Sequence, residues 1–189
     1  MNKISAGSIE FASFLEQPDE VIERVRNLRN SLGVSKHMYN DHLISQEEHA
    51  AWVEGLRQST CDRVMVILYQ GKAEGVVALH AIKDRHRTAE WAFYLSEEVQ
   101  GKGVGAVVEF KLLDLAFYQM GLEKLNAEVL ESNLKVIELH QKFGFKLEGV
   151  RRANVLREGK RVDVVLLGIL PIEWGQNRPR FARLFSAAL

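Results

Sequence analysis

Trp91-Ala92-Phe93-Tyr94-Leu95, Ser96-Glu97-Glu98-Val99-Gln100, Gly101-Lys102-Gly103-Val104-Gly105 and a long apolar run from Ala106 to Met120 follow one another without a break. The first block reads as a strand, the second as a polar connector, the third as a glycine turn and the last as a helix stopped by Gly121. A helix that opens on alternating glycines turns its first, unpartnered N–H groups outward. Those donors and the helix dipole suit a phosphate or pyrophosphate at Gln100 to Ala106. Gly101-x-Gly103-x-x-Ala106 also satisfies a dinucleotide fingerprint, but that motif needs the strand to run straight into the first glycine and further parallel strands to follow. Here Ser96 to Gln100 intervene, and antiparallel strands come first. No Gly-Lys-Ser/Thr sequence occurs, which removes a kinase-type phosphate loop.

Upstream, Val64 to Tyr69 and Gly75 to Ile82 are apolar runs joined by the turn Gln70-Gly71-Lys72, and Lys83 to Arg87 leads into Ala89 to Leu95. These connections are too short for helices, so the three strands pair antiparallel. Leu125 to Leu130 follows a whole helix and is therefore parallel to the strand before it. Val136 to Phe143 reads as a helix closed by Gly144, and Phe145 to Leu156 with Val162 to Leu170 as a final hairpin. Nearer the start, Val21, Ile22, Val25, Leu28 and Leu32 form a helical stripe with Gly33 as its stop. Ser45-Gln46-Glu47-Glu48 reads as a capping box in which Ser45 and Glu48 satisfy each other's backbone donors, opening a helix that buries Trp52, Val53 and Leu56. The expectation is an α+β fold: a mixed, mostly antiparallel sheet flanked by helices, with one strand–helix–strand crossover, as a single domain over residues 1–189.

The chain has 189 residues, 25 Lys+Arg against 25 Asp+Glu and 47% hydrophobic residues. That composition excludes wholesale disorder, and zero net charge gives no global basic field for nucleic acid or an anionic membrane. A lone Cys61 excludes a disulfide framework. The six His residues show no helical pairing with a carboxylate, so no metal is expected. No signal segment or membrane-length run is seen, which makes the cytoplasm the expected address.

Gln100-Gly101-Lys102-Gly103-Val104-Gly105 resembles the pyrophosphate loop of the GNAT superfamily of acyl-CoA-dependent N-acetyltransferases. Asn133-x-x-Val136-x-x-Leu139-His140-x-Lys142-Phe143-Gly144-Phe145 is similar to that family's second cofactor segment. Arg26 to Asn30, Lys36-His37-Met38-Tyr39, Ile44 to His49 and Val162 to Leu170 further resemble the amino-sugar branch that serves pseudaminic acid biosynthesis and flagellin glycosylation. The tail after Trp174 has no counterpart there.

The resemblance implies acetyl-CoA as cofactor, held by Tyr94, Leu95, Gln100, Gly101, Lys102, Gly103, Val104, Gly105, Ala106, Asn133 and Lys142. It implies that the pantetheine arm runs along Trp91 to Leu95 as an added strand would, with an N–H near Leu95 polarising the thioester carbonyl. A UDP-amino-sugar is the implied acceptor, contacted by Arg29, Met38, Tyr39 and His49, and its 4-amino group attacks the thioester directly. Many relatives carry Tyr where His140 stands, the position that protonates the leaving thiolate. His140 is therefore either the general acid or a packed coenzyme contact. Glu128, on the strand after the crossover, is either the base that takes the ammonium proton or a salt-bridged strand carboxylate, with Glu90 as a substitute. His49 is either a donor to the sugar or an ordinary helix residue, and Met38-Tyr39 either covers a deoxysugar or anchors its own loop. Arg87 is a further candidate for the nucleotide diphosphate. Two other functions share the cofactor motifs: a ribosomal-protein-type N-terminal acetyltransferase and a non-catalytic acyl-CoA-binding protein. Val162 to Leu170 is apolar enough to join a homodimer sheet.

Overall fold

The computed structural model describes residues 4–186. Its strands are β1 (Ile9–Ser13), β2 (Arg63–Tyr69), β3 (Lys72–Lys83), β4 (Thr88–Leu95), β5 (Lys124–Leu130), β6 (Lys146–Arg157) and β7 (Lys160–Ile169). They form one sheet in the order β1-β2-β3-β4-β5-β7-β6. Every neighbouring pair is antiparallel except β4 with β5. The helices are α1 (Asp19–Asn30), α2 (Leu32–Ser35), α3 (Gln46–Gln58), α4 (Val104–Asp114), α5 (Leu134–Phe143) and α6 (Pro171–Ser186). This is the expected mixed α+β architecture.

Strand alternation sends successive side chains to opposite faces. Met65, Ile67, Val77, Leu79, Trp91 and Leu95 meet Val107, Val108 and Leu112 of α4 in one core. Val64, Val66, Val76 and Ala78 meet Phe14, Val25 and Leu56 in the other. Each large aliphatic side chain buried this way contributes about 1.5–3 kcal/mol. Burial on both faces makes β2 to β4 the rigid frame that carries the loops.

Several local readings need correction. The stripe before Gly33 breaks at Ser31, because α1 ends at Asn30, and Leu32 is 79% exposed. The capping box is half formed. Ser45 Oγ accepts from the Glu48 N–H at 3.1 Å, but the Glu48 carboxylate turns away to His42 Nε2 at 2.9 Å. Trp52 remains 39% exposed rather than lining a buried face. The helix after the glycine turn changes to a π-helical turn at Leu115–Gln119 before Gly121. β7 is paired on both sides, by β5 and β6, so Val162 to Leu170 has no free edge with which to extend a dimer sheet. The free edge at that end is β6.

Candidate active site

β4 and β5 are paired only from Thr88–Lys124 to Glu90–Asn126. Beyond that point they part, and a cleft of about 720 Å³ opens between them, walled by residues of α2, the glycine turn and α5. On the other side of β4 the Ser96 N–H donates to the Glu74 carbonyl at 2.7 Å. Antiparallel alternation therefore aims the main-chain groups of Phe93 and Leu95 at the cleft. Gln100 Nε2 takes the Leu95 carbonyl at 2.8 Å, which leaves the Leu95 N–H facing the opening.

The connector after β4 is pinned from below. Glu74 is the extra residue of a bulge between Ile67–Gly75 and Leu68–Ala73, which turns its carboxylate inward at 3% exposure. There it accepts from Ser96 Oγ, from Lys72 Nζ at 3.1 Å and from Arg24 Nη2 at 3.4 Å. This buried carboxylate is compensated on both oxygens, so it fixes where the loop leaves the strand.

Gly101 (φ 73°) and Gly103 (φ 92°) adopt left-handed conformations that side chains disfavour. The first helical bond of α4 runs from the Val107 N–H to the Gly103 carbonyl at 3.4 Å. The N–H groups of Val104, Gly105 and Ala106 thus lack intrahelical partners. Gln100, Gly101, Gly103, Gly105 and Ala106 border the cleft; the Lys102 side chain lies exposed, and that of Val104 is buried in the core. Asn133, at the head of α5, and Lys142, near its end, border the cleft from the opposite wall.

His140 also reaches the cleft at 3% exposure, packed against Trp91, Phe93 and Phe145. Its Nδ1 is 3.0 Å from Glu109 Oε1 of α4, a fully buried carboxyl. Burial pushes the Glu109 carboxyl above the usual carboxylate range, opposed by the charge and hydrogen bond of His140. In sequence Glu109 sits in an apolar helix with nothing to mark it.

Glu128 lies on β5 inside the cleft, with both oxygens engaged. Tyr39 Oη donates to Oε2 at 2.6 Å, and Arg151 Nη1 of β6 donates to Oε1. Burial and the Glu128 carboxylate push the Tyr39 hydroxyl well above its ordinary value. Arg157 Nη1 donates to the Ser35 carbonyl at 3.0 Å and to that of Met38, and the Glu158 N–H to Asp41 Oδ2 at 3.1 Å. The β6–β7 hairpin thereby presents Met38 and Tyr39 to the cleft. Arg29 Nη2 donates to the Asn40 carbonyl at 3.3 Å, while Arg29 Nη1 and His37 Nδ1 are buried without partners among the described residues. Burial depresses both groups, His37 with Lys36 and Arg157 adding to it.

Three expectations are corrected. His49 does not border the cleft; it stacks on Trp52 at 5.3 Å and meets the edge of Phe14, so it is a packing residue. The Tyr94 side chain faces α1, with its hydroxyl 3.4 Å from the Val25 carbonyl, so it forms part of the α1 side of the cleft and not the cofactor side. Arg87 pairs with Glu123 at 3.0 Å outside the cleft. Glu90 borders the cleft from β4.

Residues 21–166 match the family described as the acetyltransferase (GNAT) domain. The chain belongs to this family. It is an N-acetyltransferase that uses acetyl-CoA, and a parted strand with free main-chain groups beside outward N–H donors fits a pantetheine arm and a pyrophosphate. The chain is 29% identical over 135 residues to spermidine N(1)-acetyltransferase of Escherichia coli K12, spanning 71% of this chain and 72% of that protein. Acetyltransferase PseH of Campylobacter jejuni is 25% identical over 139 residues, spanning 74% of this chain and 85% of that one. The crystal structure of spermidine N-acetyltransferase from Vibrio cholerae in complex with CoA and spermine aligns with a TM-score of 0.82 at 23% identity, covering 89% of this chain and 98% of that one. No helix among the described residues is long and apolar enough to cross a membrane.

Proposed function

We propose that this enzyme acetylates the 4-amino group of a UDP-linked amino-deoxysugar. The observation that carries the reading is Arg29, whose Nη1 is buried at the cleft with no partner among the described residues. A desolvated cation with an unused donor calls for an anion, and a nucleotide diphosphate supplies one. Lys36, His37 and Lys135 border the same cleft. A polyamine acceptor needs free carboxylates there, whereas Glu128 is already paired with Arg151. The spermidine relatives favour that second acceptor class, and Glu90 is the carboxylate left to serve it.

In this reading Gln100 to Ala106, with Lys102 at the rim, hold the pyrophosphate, the Leu95 N–H orients the carbonyl, and Asn133 and Lys142 line the coenzyme side. Acetyl-CoA supplies the activated acetyl thioester. Met38 and Tyr39 give the deoxysugar an apolar and aromatic wall. With Glu128 held by Tyr39 and Arg151, Glu90, the other carboxylate on the cleft, takes the proton that the acceptor ammonium must lose, and His140 protonates the sulfur that leaves. Holding amine and thioester together supplies effective molarities up to ~10⁵ M or beyond.

Thiol release from acetyl-CoA, measured against a panel of UDP-amino-sugars, spermidine and N-terminal peptides, tests the assignment. UDP-4-amino-4,6-dideoxy-N-acetyl-β-L-altrosamine should give the highest kcat/KM. Turnover with spermidine or a peptide alone would transfer the enzyme to that class.

A further inference from the structure

Glu109 is a carboxyl with 0% exposure on the inner face of α4, flanked by Val107, Val108, Phe110, Leu112 and Leu113. Its Oε1 meets His140 Nδ1 at 3.0 Å, and its Oε2 has no partner among the described residues. A buried carboxyl with one bare oxygen is costly, and a packing role for this position would be filled better by Leu or Met. Among the described residues, no hydrogen bond or ion pair joins the imidazole to any other titratable side chain, and Lys135 and Glu138 of α5 are exposed. β4 contributes the rings of Trp91 and Phe93, and the residue before β6 contributes Phe145. On α5 itself Lys142 is exposed. His140 Nε2, which has no protein partner among the described residues, is the nitrogen left for the cleft.

We infer that Glu109 is a positioning residue for proton transfer: it holds the Nδ1–H of His140, orients the ring, and keeps Nε2 loaded with a proton for the departing sulfur. The inference rests on the reading of His140 as general acid. As the nitrogen–carbonyl bond forms and the carbon–sulfur bond breaks, the electron pair leaves on sulfur and takes the Nε2 proton. The nitrogen sheds one proton as it becomes an amide, and that proton reloads Nε2, so the dyad ends as it began. The carboxyl matters because it is the hydrogen-bonding partner that the ring has among the described residues, and an opposite charge at that distance favours the protonated form of an imidazole in general.

Glu109→Gln preserves shape and an acceptor oxygen but removes the charge. The alkaline limb of its pH–kcat profile, measured where chemistry limits the rate, should move to lower pH by about one unit or more. Acetyl-CoA affinity by calorimetry should stay within about threefold. In a His140→Tyr background the same change should leave the profile unmoved, because a phenol needs no carboxylate to stay protonated near neutral pH. Nitrogen NMR of the wild-type protein labelled at histidine gives a readout apart from activity and apart from whether the variant folds. The neutral His140 ring should carry its proton on Nδ1. Finding it on Nε2 at alkaline pH, or an unshifted Glu109→Gln profile, overturns the role of Glu109. Should His140→Phe keep full turnover, the reading of His140 as acid fails instead, so the two failures are told apart.

Discussion

The hydroxyl of Tyr39 lies 2.6 Å from Glu128 Oε2 and joins two residues 89 positions apart across the mouth of the cleft. The bond exists because Arg157 fastens the Ser35–Met38 backbone to the β6–β7 hairpin, and Arg151 of the same hairpin holds the other oxygen of Glu128. One hairpin thus sets both the loop that carries the phenol and the carboxylate that accepts from it.

Tyr39→Phe should raise the KM for the acceptor about three- to tenfold and leave acetyl-CoA affinity unchanged. A hydrogen bond to a charged group is worth about 1.5–3 kcal/mol when shielded, and about 1 kcal/mol applies here because Tyr39 is 39% exposed. Steady-state kinetics with each substrate varied in turn checks this. An effect confined to acetyl-CoA would move Tyr39 to the cofactor side.

Gly105 separates binding from folding. A Cβ there meets only ordinary contacts, 3.6 Å from the Phe93 ring and 3.7 Å from Leu95, whereas Gly103 has φ 92° and any side chain is strained. Gly105→Glu places a carboxylate in the first turn of α4, where the helix dipole contributes about 0.3–1 kcal/mol of stability. The melting temperature should hold or rise, while acetyl-CoA affinity falls about a hundredfold or more through repulsion of the pyrophosphate. Calorimetry showing wild-type affinity would remove the glycine turn from the binding site.

The fold was legible where one local signal sufficed: the Gly103 turn, the Gly144 stop and the alternation of β2 to β4. It was illegible where tertiary contacts decide. β1 is five residues at a sheet edge and too short to show a period. α6 hides behind Gly175 and Pro179, and its helicity depends on burying Trp174, Phe181 and Phe185 against α4 and α5. A histidine in a resembled segment invites a ligand, but the surroundings of His49 are the rings of Phe14 and Trp52. Glu109 is the opposite case, an unmarked carboxyl in an apolar helix. Only the approach of α5 shows that its carboxyl has a partner.

Phe181 of α6 stacks on Phe143 of α5 at 3.9 Å, and Trp174 Nε1 with Arg178 grips Asp114 at the end of α4, at 2.9 and 2.8 Å. The helix clamps both cofactor helices from behind. Phe181→Ala should cost about 3–5 kcal/mol in chemical denaturation, since the side chain is 5% exposed. Arg178→Ala, at a partly exposed pair, should cost about 1 kcal/mol or less. Equal losses would mean that the ion pair, and not the aromatic stack, fastens the helix.

Arg29→Met decides between acceptor classes. Burial pushes the guanidinium below its ordinary value; it keeps one bond to the Asn40 carbonyl and leaves Nη1 unpaired among the described residues. Removing it relieves a desolvated donor at the loss of one weak hydrogen bond, so stability should change by about 1 kcal/mol or less. If that donor is reserved for a diphosphate, UDP binding by calorimetry should weaken about ten- to a hundredfold. The KM for a UDP-amino-sugar should rise by the same factor, and its dependence on salt should flatten because a charged contact has been lost. Spermidine repels the wild-type guanidinium, so turnover of a polyamine should be unaffected or improved. Unchanged UDP affinity in Arg29→Met, with spermidine turnover lost, would reverse the assignment and make the cleft a polyamine site.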